Sequence, residues 1–364
     1  MRRAEIRAGT SRYEAHIGGD LLREIGRALG GGAFGPRCAL ISDANIPPTF
    51  LETTSNSLSE AQHEPIPIVV PAGEGSKSLE QVGIICERLA IAGLDRSSFV
   101  VALGGGVIGD LAGFVAAIYH RGIPWANIPT TLLAMVDSCI GGKTGVNTAA
   151  AKNLIGAIHH PALVIADVDT LATLPAREFR QGFAEIIKHA IIADASLLDK
   201  VTEASHLPPR PGEGETESLQ ALIARNLEIK AAIVAVDERE VSGERATLNF
   251  GHTIGHAIER AAGYGTLFHG EAVSLGIVAA CDISVRKAGL SESQRQRVII
   301  ALEACDLPTK LPPDISREKV MEALPFDKKF ERGAIRFVVT PALGSAHVVT
   351  DVTMADMREA IGRL

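Results

Sequence analysis

An apolar strand that ends in a glycine-rich turn restricts this chain to a small number of folds. The strand is predicted at Ser98–Leu103, and the turn reads GGGVIGD over residues 104–110, before an apolar helical pattern. Gly104, Gly106 and Gly109 fit the GxGxxG spacing, in which glycines let the backbone approach a pyrophosphate at a helix N-terminus. A tight strand-to-helix turn also favours glycine, so the spacing indicates a nucleotide site without establishing one.

The neighbouring segments alternate between strand and helix patterns. Residues 38–42 and 66–70 are short apolar runs bounded by turn residues, and residues 78–92 carry a helical apolar pattern. This succession predicts a parallel sheet covered by helices. Beyond about residue 175 the patterns are helical, at residues 177–193, 217–236, 248–262, 271–288, 292–305 and 354–361. We therefore expect an α/β domain at residues 1–174 and an α-helical domain at residues 175–364.

The composition limits the classes of partner. The 364 residues are 46% hydrophobic and 22% charged, which is typical of a soluble globular protein with room for two cores. A formal net charge of −7 argues against nucleic-acid or anionic-membrane partners. Five scattered cysteines without CxxC spacing, and an N-terminus without a signal-like apolar region, favour a cytoplasmic location.

Two histidines four residues apart, His252 and His256, share one face of a predicted helix, and His269 follows a turn. This spacing is typical of metal ligands, although solvated histidines on a helix have the same spacing. The HExxH metalloprotease motif is excluded because no glutamate follows His252. Any metal here needs a carboxylate ligand from elsewhere in the chain.

A second glycine-rich stretch, residues 137–147, contains Gly-Lys-Thr. It is not a P-loop, because the first glycine of that motif would fall at Asp137. Lys143, with Lys152 and Asn153 close behind, suits an anionic small molecule, and a solvated surface loop is the alternative.

Three further groups of charged residues allow more than one interpretation. No acidic residue lies between Asp110 and Asp137, so Asp43, at the end of strand 38–42, becomes the candidate ribose ligand. Glu185 and Lys188 are three residues apart on a predicted helix, where a structural ion pair is the alternative to a functional pair. The charges between residues 230 and 245 fit an exposed, solvated run.

These residues, in this order, resemble the 3-dehydroquinate synthases, which are sugar phosphate cyclases. The matching stretches extend from about residue 70 to residue 330 and read GGGVIGDLAGF, RGIPWANIPTTLLAMVDSCIGGKTGVN, KNLIGA, FAEIIKHAII, DERE, LNFGHTIGHAIE, HGEAV and FDKK. The resemblance implies an N-terminal Rossmann-like α/β domain that binds NAD and an all-α C-terminal domain that binds metal and substrate. It also implies an active site in the cleft between the two domains.

The resemblance also assigns roles to individual residues. The ligands of one divalent metal, usually zinc with cobalt possible, would be Glu185, His252 and His269, while His256 would contact the substrate phosphate. NAD would be bound by Glu74, Lys77, Gly105, Gly106, Val107, Asp110, Thr130, Thr131, Lys143, Lys152, Thr170, Leu171 and Thr173.

The remaining expected contacts are with the substrate. The phosphate would be held by Lys143, Asn153, His256 and Lys328, the last chosen over Lys329, and by Arg121 from the partner subunit of a homodimer. Lys230 and Arg245 match the carboxylate binders, and Asp137, Lys188 and Asn249 match the groups that hold the reacting hydroxyls. The chain departs from the family before Arg245, where Val-Ser-Gly-Glu replaces a commonly shorter segment.

The implied reaction converts 3-deoxy-D-arabino-heptulosonate 7-phosphate to 3-dehydroquinate and phosphate, with NAD used and returned. Another sugar phosphate cyclase is the nearest alternative, but Asn153, His256 and Lys328 keep the dehydroquinate pattern. A metal-dependent polyol dehydrogenase would release NADH and has no reason to keep the lysine cluster. A non-enzymatic nucleotide-binding protein would bind NAD without turnover.

Overall fold

The computed structural model describes residues 1–30, 34–149, 151–204, 215–241, 243–263, 266–324, 330–331 and 334–364. The chain divides into two compact units, unit 1 with Met1–Leu174 and Pro209–Ala231, and unit 2 with Pro175–Pro208 and Ala232–Leu364. The chain passes from unit 1 to unit 2 after Leu174 and again after Ala231. The partition into residues 1–174 and 175–364 stays a prediction.

Strands and helices alternate in the first half of the chain, and helices predominate in the second. The strands are β1 (Arg2–Ala8), β2 (Ser11–Gly18), β3 (Arg37–Asp43), β4 (Glu64–Val70), β5 (Phe99–Gly104), β6 (Trp125–Pro129), β7 (Lys143–Val146), β8 (Ile155–Ile158), β9 (Leu163–Asp167), β10 (Phe330–Glu331), β11 (Ala334–Ile335), β12 (Phe337–Ala342) and β13 (Ser345–Val349). The helices are α1 (Ile25–Leu29), α2 (Pro48–Glu60), α3 (Leu79–Ile91), α4 (Gly106–Ile118), α5 (Ala176–Ile192), α6 (Leu197–Ala204), α7 (Glu215–Val236), α8 (His252–Ala262), α9 (His269–Lys287), α10 (Glu292–Ala304), α11 (Arg317–Ala323) and α12 (Met354–Arg363).

Unit 1 is built on a seven-stranded sheet with the order β1-β2-β9-β6-β5-β3-β4. The β1–β2 pair is antiparallel, and the other pairings in this sheet are parallel. The strands predicted at residues 38–42 and 66–70 are confirmed as parts of β3 and β4. The strand predicted at residues 98–103 is confirmed as β5, which begins one residue later, at Phe99. The α/β fold class is therefore confirmed for this unit, which also has an antiparallel edge hairpin that was not predicted.

Helices cover both faces of this sheet. Along β3, Cys38 and Leu40 belong to the apolar cluster that includes residues of α1 and α2. Ala39 and Ile41 belong to the cluster that includes residues of α3 and α4 on the opposite face. Because successive side chains of a strand point to opposite faces, a strand buried on both sides must be apolar throughout, as β5 is.

The order of the strands defines a switch point between β3 and β5. The chain leaves β3 for β4 on one side and then returns to β5 on the other side of β3. In open α/β sheets, ligands bind outside the carboxyl ends of the strands at such a reversal. The residues at these two carboxyl ends are Asp43 and Gly104.

Unit 2 is mainly helical, as expected, and also contains two short antiparallel pairs, β10–β11 and β12–β13. Almost the whole length of α5 is buried. The helix predicted at residues 248–262 begins only at His252, because Gly251 adopts a left-handed conformation with φ of 78°. Among the described residues no helix is long and apolar enough to cross a membrane.

Candidate active site

The expected cofactor residues of unit 1 follow the carboxyl ends of its parallel strands. Asp43 ends β3, Glu74 and Lys77 follow β4, and the glycine-rich turn follows β5. Thr130 and Thr131 follow β6 directly. After β9 come Thr170, Leu171 and Thr173, in a short 3₁₀ segment. Residues distant in sequence are therefore gathered at one edge of one sheet, because parallel strands bring their carboxyl ends together.

The glycine-rich turn opens α4 without a side chain at its N-cap. Gly105 occupies the N-cap position and α4 begins at Gly106, followed by Val107. A Cβ atom at Gly105 would lie 3.2 Å from the Cγ2 atom of Thr131, so a side chain there would crowd the next strand end. The first N–H groups of a helix lack intrahelical partners and attract anions. The residues present therefore fit a dinucleotide phosphate.

Two polar contacts link the loop after β4 to its surroundings. The buried Lys77 ammonium lies 2.5 Å from the Oδ2 atom of Asp110 on α4. Burial raises the pKa of Asp110 above its ordinary value, and Lys77 offsets part of that increase. The Asn147 amide donates to the Oε1 atom of Glu74 at 2.6 Å, and the Oδ1 atom of Asn147 accepts the backbone N–H of Asn153 at 2.9 Å.

Asn147 was not among the predicted site residues, although it closes the GGKTGVN stretch. Its single amide joins the loop that carries Glu74 to the segment that carries Lys152 and Asn153. Asn153 adopts a left-handed backbone with φ of 53°, which asparagine tolerates better than most residues, and the bond to Asn147 holds its N–H in place. The signal available in the sequence was the position of Asn147 inside a matching motif.

Asp137 and Lys230, expected to bind different parts of the substrate, are in contact within unit 1. The Lys230 ammonium donates to the backbone carbonyl of Asp137 at 2.7 Å and lies 3.0 Å from its carboxylate. Asp137 lies in a π-helical turn at Ala134–Ser138, a distortion that often occurs at functional sites.

Four other predicted site residues of unit 1 differ in their exposure and contacts. Lys143 is exposed at the start of β7, and Lys152 is half-buried. Asp43 accepts the backbone N–H of Asn45 at 2.8 Å. Arg121 is exposed after α4 and has a left-handed backbone with φ of 70°.

Three expected metal ligands converge in unit 2, although they come from three helices. Glu185 lies on α5, while His252 and His269 are the first residues of α8 and α9. One ligand atom from each lies within 4.8 Å of the others. The Oε1 atom of Glu185 is 3.4 Å from the Nε2 atom of His252 and 3.8 Å from that of His269.

The second nitrogen of each imidazole has its own partner. The Nδ1 atom of His252 donates to the backbone carbonyl of Phe250 at 3.2 Å. The Nδ1 atom of His269 lies 3.4 Å from the Oε2 atom of Glu259, a residue that the sequence patterns did not single out. Both arrangements direct Nε2 towards Glu185 and are typical of metal-binding histidines. The donor set therefore fits a divalent metal such as zinc or cobalt.

Burial and neighbouring charges shift the pKa values of these three side chains in opposite directions. Burial would raise the pKa of Glu185, but Lys188 and His252 hold it well below the ordinary value. Burial lowers the pKa of His252 to about 4, against the attraction of Glu185. Burial alone would also lower the pKa of His269, but hydrogen bonds to Glu185 and Glu259 raise it to about 9.

Lys188 and His256 lie beside the metal candidates in unit 2. Lys188 is almost completely buried and forms an ion pair with Glu185, so the structural pair expected as the alternative is present. The His256 ring centroid lies 5.3 Å from that of His252 and 6.0 Å from that of His269. His256 is exposed and does not belong to the converging set of ligand atoms.

The charged run before α8 is not uniformly exposed, and this corrects one sequence expectation. Asp237 and Arg245 are buried, with 5% and 3% of their surfaces exposed. Arg245 donates to the backbone carbonyl of Glu238, and the Asn249 amide donates to the Oε1 atom of Glu240 at 2.9 Å. The expected phosphate ligand Lys328, like its neighbour Lys329, lies outside the described residues.

Known proteins match this chain over most of its length. The family model for the N-terminal domain of 3-dehydroquinate synthase matches residues 67–181, and the C-terminal model matches residues 182–330. The 3-dehydroquinate synthase of Pelobacter propionicus is 43% identical over 344 residues, covering 94% of each chain.

Two solved structures share the fold. The 2-epi-5-epi-valiolone synthase ValA of Streptomyces hygroscopicus, with NAD⁺ and Zn²⁺ bound, has 30% identity and a TM-score of 0.84 over 96% of each chain. A 2-deoxy-scyllo-inosose synthase, complexed with carbaglucose-6-phosphate, NAD⁺ and Co²⁺, has a TM-score of 0.89 with 24% identity. The match covers 100% of this chain and 99% of the inosose synthase chain.

Proposed function

The chain belongs to the 3-dehydroquinate synthase family, and from that premise we propose how it acts. It converts 3-deoxy-D-arabino-heptulosonate 7-phosphate to 3-dehydroquinate and phosphate, as a phosphorus–oxygen lyase of aromatic amino-acid biosynthesis. The observation that carries the proposal is the convergence of Glu185, His252 and His269 from three helices. This donor set lies inside the matched C-terminal region.

The chain would bind both a metal and NAD, each through its own set of residues. The metal would be held by Glu185, His252 and His269, and when bound it supplies positive charge that polarises substrate oxygens. NAD would lie against the glycine-rich turn and the strand-end residues, and when bound it supplies transient oxidation of one substrate carbon. The ligands of ValA, NAD⁺ and Zn²⁺, support this assignment, and the Co²⁺ of the inosose synthase leaves cobalt as a second candidate.

The acidic and basic side chains of the chain would hold the substrate in place. Asp137, Lys188 and Asn249 would hold the reacting hydroxyl groups by hydrogen bonds. An ammonium has three donors, so Lys230 can keep its bonds to Asp137 and still donate to a carboxylate. Arg245, whose guanidinium is planar and permanently charged, would bind the same carboxylate in a bidentate manner.

The phosphate end would be bound by Lys143, Asn153, His256 and Lys328. Protonated His256 would strengthen its hydrogen bond to a phosphate oxygen by charge. The phosphate itself would accept the proton that is removed before elimination, so the protein contributes mainly by orienting the substrate.

A homodimer working in the cytoplasm is part of the same proposal. Arg121 would reach the phosphate of the partner subunit. Arg121 is exposed in the single chain, so its guanidinium is accessible to a second copy. All five cysteines are free thiols, as is usual in a reducing compartment.

The alternatives predict different reactions. A valiolone- or inosose-type cyclase would act on another sugar phosphate, and a polyol dehydrogenase would accumulate NADH. The ammonium groups of Lys143, which is exposed, and of Lys152, which is half-buried, favour an anionic substrate over a simple polyol.

The test is a phosphate-release assay with the purified protein, NAD and the heptulosonate phosphate. We expect stoichiometric phosphate and 3-dehydroquinate. Turnover of a neutral sugar phosphate, without turnover of the heptulosonate phosphate, would assign the chain to another cyclase class.

A further inference from the structure

The carboxylate of Asp237, in unit 2, accepts hydrogen bonds from three backbone N–H groups of the residues that follow it. The Oδ1 atom of Asp237 accepts the N–H of Val241 at 2.7 Å. Its Oδ2 atom accepts the N–H groups of Gly243 at 2.9 Å and Arg245 at 3.2 Å. Asp237 is 5% exposed, so these bonds replace most of the water that would otherwise solvate its charge.

The same short segment contacts two residues that the proposed function uses. The Arg245 guanidinium donates to the carbonyl of Glu238, next to Asp237. The Asn249 amide donates to Glu240, which adopts a left-handed backbone with φ of 58°. A glutamate rarely adopts this conformation unless its surroundings impose it, and such residues cluster at functional sites.

We propose that Asp237 is the positioning residue of the substrate carboxylate site. By binding the backbone of Val241, Gly243 and Arg245, its carboxylate fixes the segment that carries the Arg245 guanidinium. Asp237 acts through Arg245 and does not contact the substrate. The inference rests on the proposed function, in which Arg245 binds the substrate carboxylate.

Asp237 binds the stretch that leads directly into Arg245. Val241 and Gly243 both lie between Glu240 and Arg245, and both donate their backbone N–H groups to Asp237. Glu244, the acidic residue next to Arg245, is exposed, whereas Arg245 is buried. The backbone at Val241, Gly243 and Arg245 is therefore held by the buried Asp237 carboxylate.

The main variant is Asp237→Asn, with Glu244→Gln as its matched control. An asparagine amide has one acceptor oxygen, and its NH₂ group would face a backbone donor, so at least one of the three N–H groups loses its partner. We expect the KM for the heptulosonate phosphate to rise at least about tenfold, because a loosened arginine loses a charge-assisted contact. The kcat, the KM for NAD and the metal content should remain within about twofold of wild type. Glu244→Gln removes the same charge from an exposed position and should leave all four quantities unchanged.

A double-mutant cycle separates positioning from general loss of structure. In an Arg245→Gln background, Asp237→Asn should add less than about a twofold further rise in KM, because the group that it positions is already absent. Gly243→Ala provides a second route, since its φ of 99° is strained for alanine and the new Cβ would lie 2.8 Å from Arg336. This variant should raise the same KM without removing Asp237. Additive effects of Asp237→Asn and Arg245→Gln, or an equal effect of Glu244→Gln, would overturn the proposal.

Amide hydrogen exchange makes the proposal testable independently of turnover. Peptides covering residues 237–245 should exchange faster in Asp237→Asn than in wild type or Glu244→Gln, while peptides from α9 should not change. If the wild-type protein releases no phosphate from the heptulosonate phosphate, the proposed function fails. If exchange over residues 237–245 is unchanged in Asp237→Asn, the positioning role fails whatever the outcome of the assay.

Discussion

At the scale of single residues, the main question is which of the three histidines His252, His256 and His269 bind the metal. His252 and His256 lie one turn apart on α8, and sequence spacing alone makes them the natural pair of ligands. The structure instead groups His252 with Glu185 and with His269 on α9. Four residues of helix advance about 6 Å along the axis, so neighbouring imidazoles reach one ion only if both converge on it.

The first prediction separates the roles of His256 and His269. His256→Ala should keep nearly full metal occupancy but lose at least about tenfold in turnover or substrate affinity, the effect of one charge-assisted contact. Glu185→Ala, His252→Ala and His269→Ala should each lose the metal and turnover while remaining folded. Elemental analysis and circular dichroism measure these outcomes. Loss of metal in His256→Ala, with retention in His269→Ala, would show that the two roles are reversed.

The second prediction concerns the pH dependence of metal binding. The raised pKa of His269, about 9, means that its imidazole carries a proton at neutral pH in the metal-free protein. A metal must displace this proton, whereas His252, with a pKa of about 4, is already neutral. The Kd should therefore fall about tenfold for each pH unit gained between about pH 6 and 9, and then level off. Chelator competition at several pH values measures this slope, and a flat profile would contradict the charge state inferred for His269.

At the scale of secondary-structure elements, the geometry of the metal site depends on a close crossing of α8 and α9. A Cβ atom at Gly276 of α9 would lie 2.0 Å from the carbonyl oxygen of Gly251, which immediately precedes α8. Such a distance is incompatible with any side chain. Glycine at this position therefore sets the spacing of the helices that carry His252 and His269.

The third prediction follows from this crossing. Gly276→Ala should lower the free energy of unfolding by about 1–3 kcal/mol through overpacking, despite the better helix propensity of alanine. It should also weaken metal binding, because α8 and α9 must shift apart. Gly83→Ala in α3 is the control, since a Cβ there meets no atom within 4 Å. The control should be neutral or stabilise by up to about 1 kcal/mol in denaturant unfolding of the metal-free protein.

At the scale of the whole molecule, the proposed reaction requires NAD to end each cycle in the form in which it began. The fourth prediction is that turnover of the heptulosonate phosphate leaves no net absorbance of reduced cofactor. Oxidation and reduction of the same carbon cancel, so phosphate accumulates while NADH does not. Stoichiometric NADH with a simple polyol would instead place the protein among the dehydrogenases.

The fifth prediction tests whether Arg121 acts on the partner subunit. Arg121→Ala and His252→Ala should each be inactive as homodimers. After mixing and subunit exchange, half of the dimers are mixed and each has one intact site, so activity should recover to about a quarter of wild type. Recovery should fail if Arg121 serves its own subunit.

Much of the fold follows from local sequence. The strands β3, β4 and β5 and the helices α3, α5 and α10 follow from hydrophobic periodicity, because a buried strand or helical face needs apolar residues at fixed spacing. The β1–β2 hairpin was not predicted, although β1 alternates exposed and buried residues with the two-residue period of a half-buried strand. The helix α8 begins later than predicted because Gly251 adopts a left-handed conformation, which only the backbone geometry reveals.

The sequence by itself determined the types of side chain available and, through motif resemblance, their expected roles. Tertiary structure decided which of them meet. Glu185, His252 and His269 come from separate helices, and no spacing rule within one helix could bring them together. The charged run before α8 was indistinguishable from a solvated surface in sequence, yet Asp237 is buried because three backbone N–H groups solvate its charge. Burial and long-range contacts depend on the packing of the whole unit, and for that reason they could not be determined from local sequence.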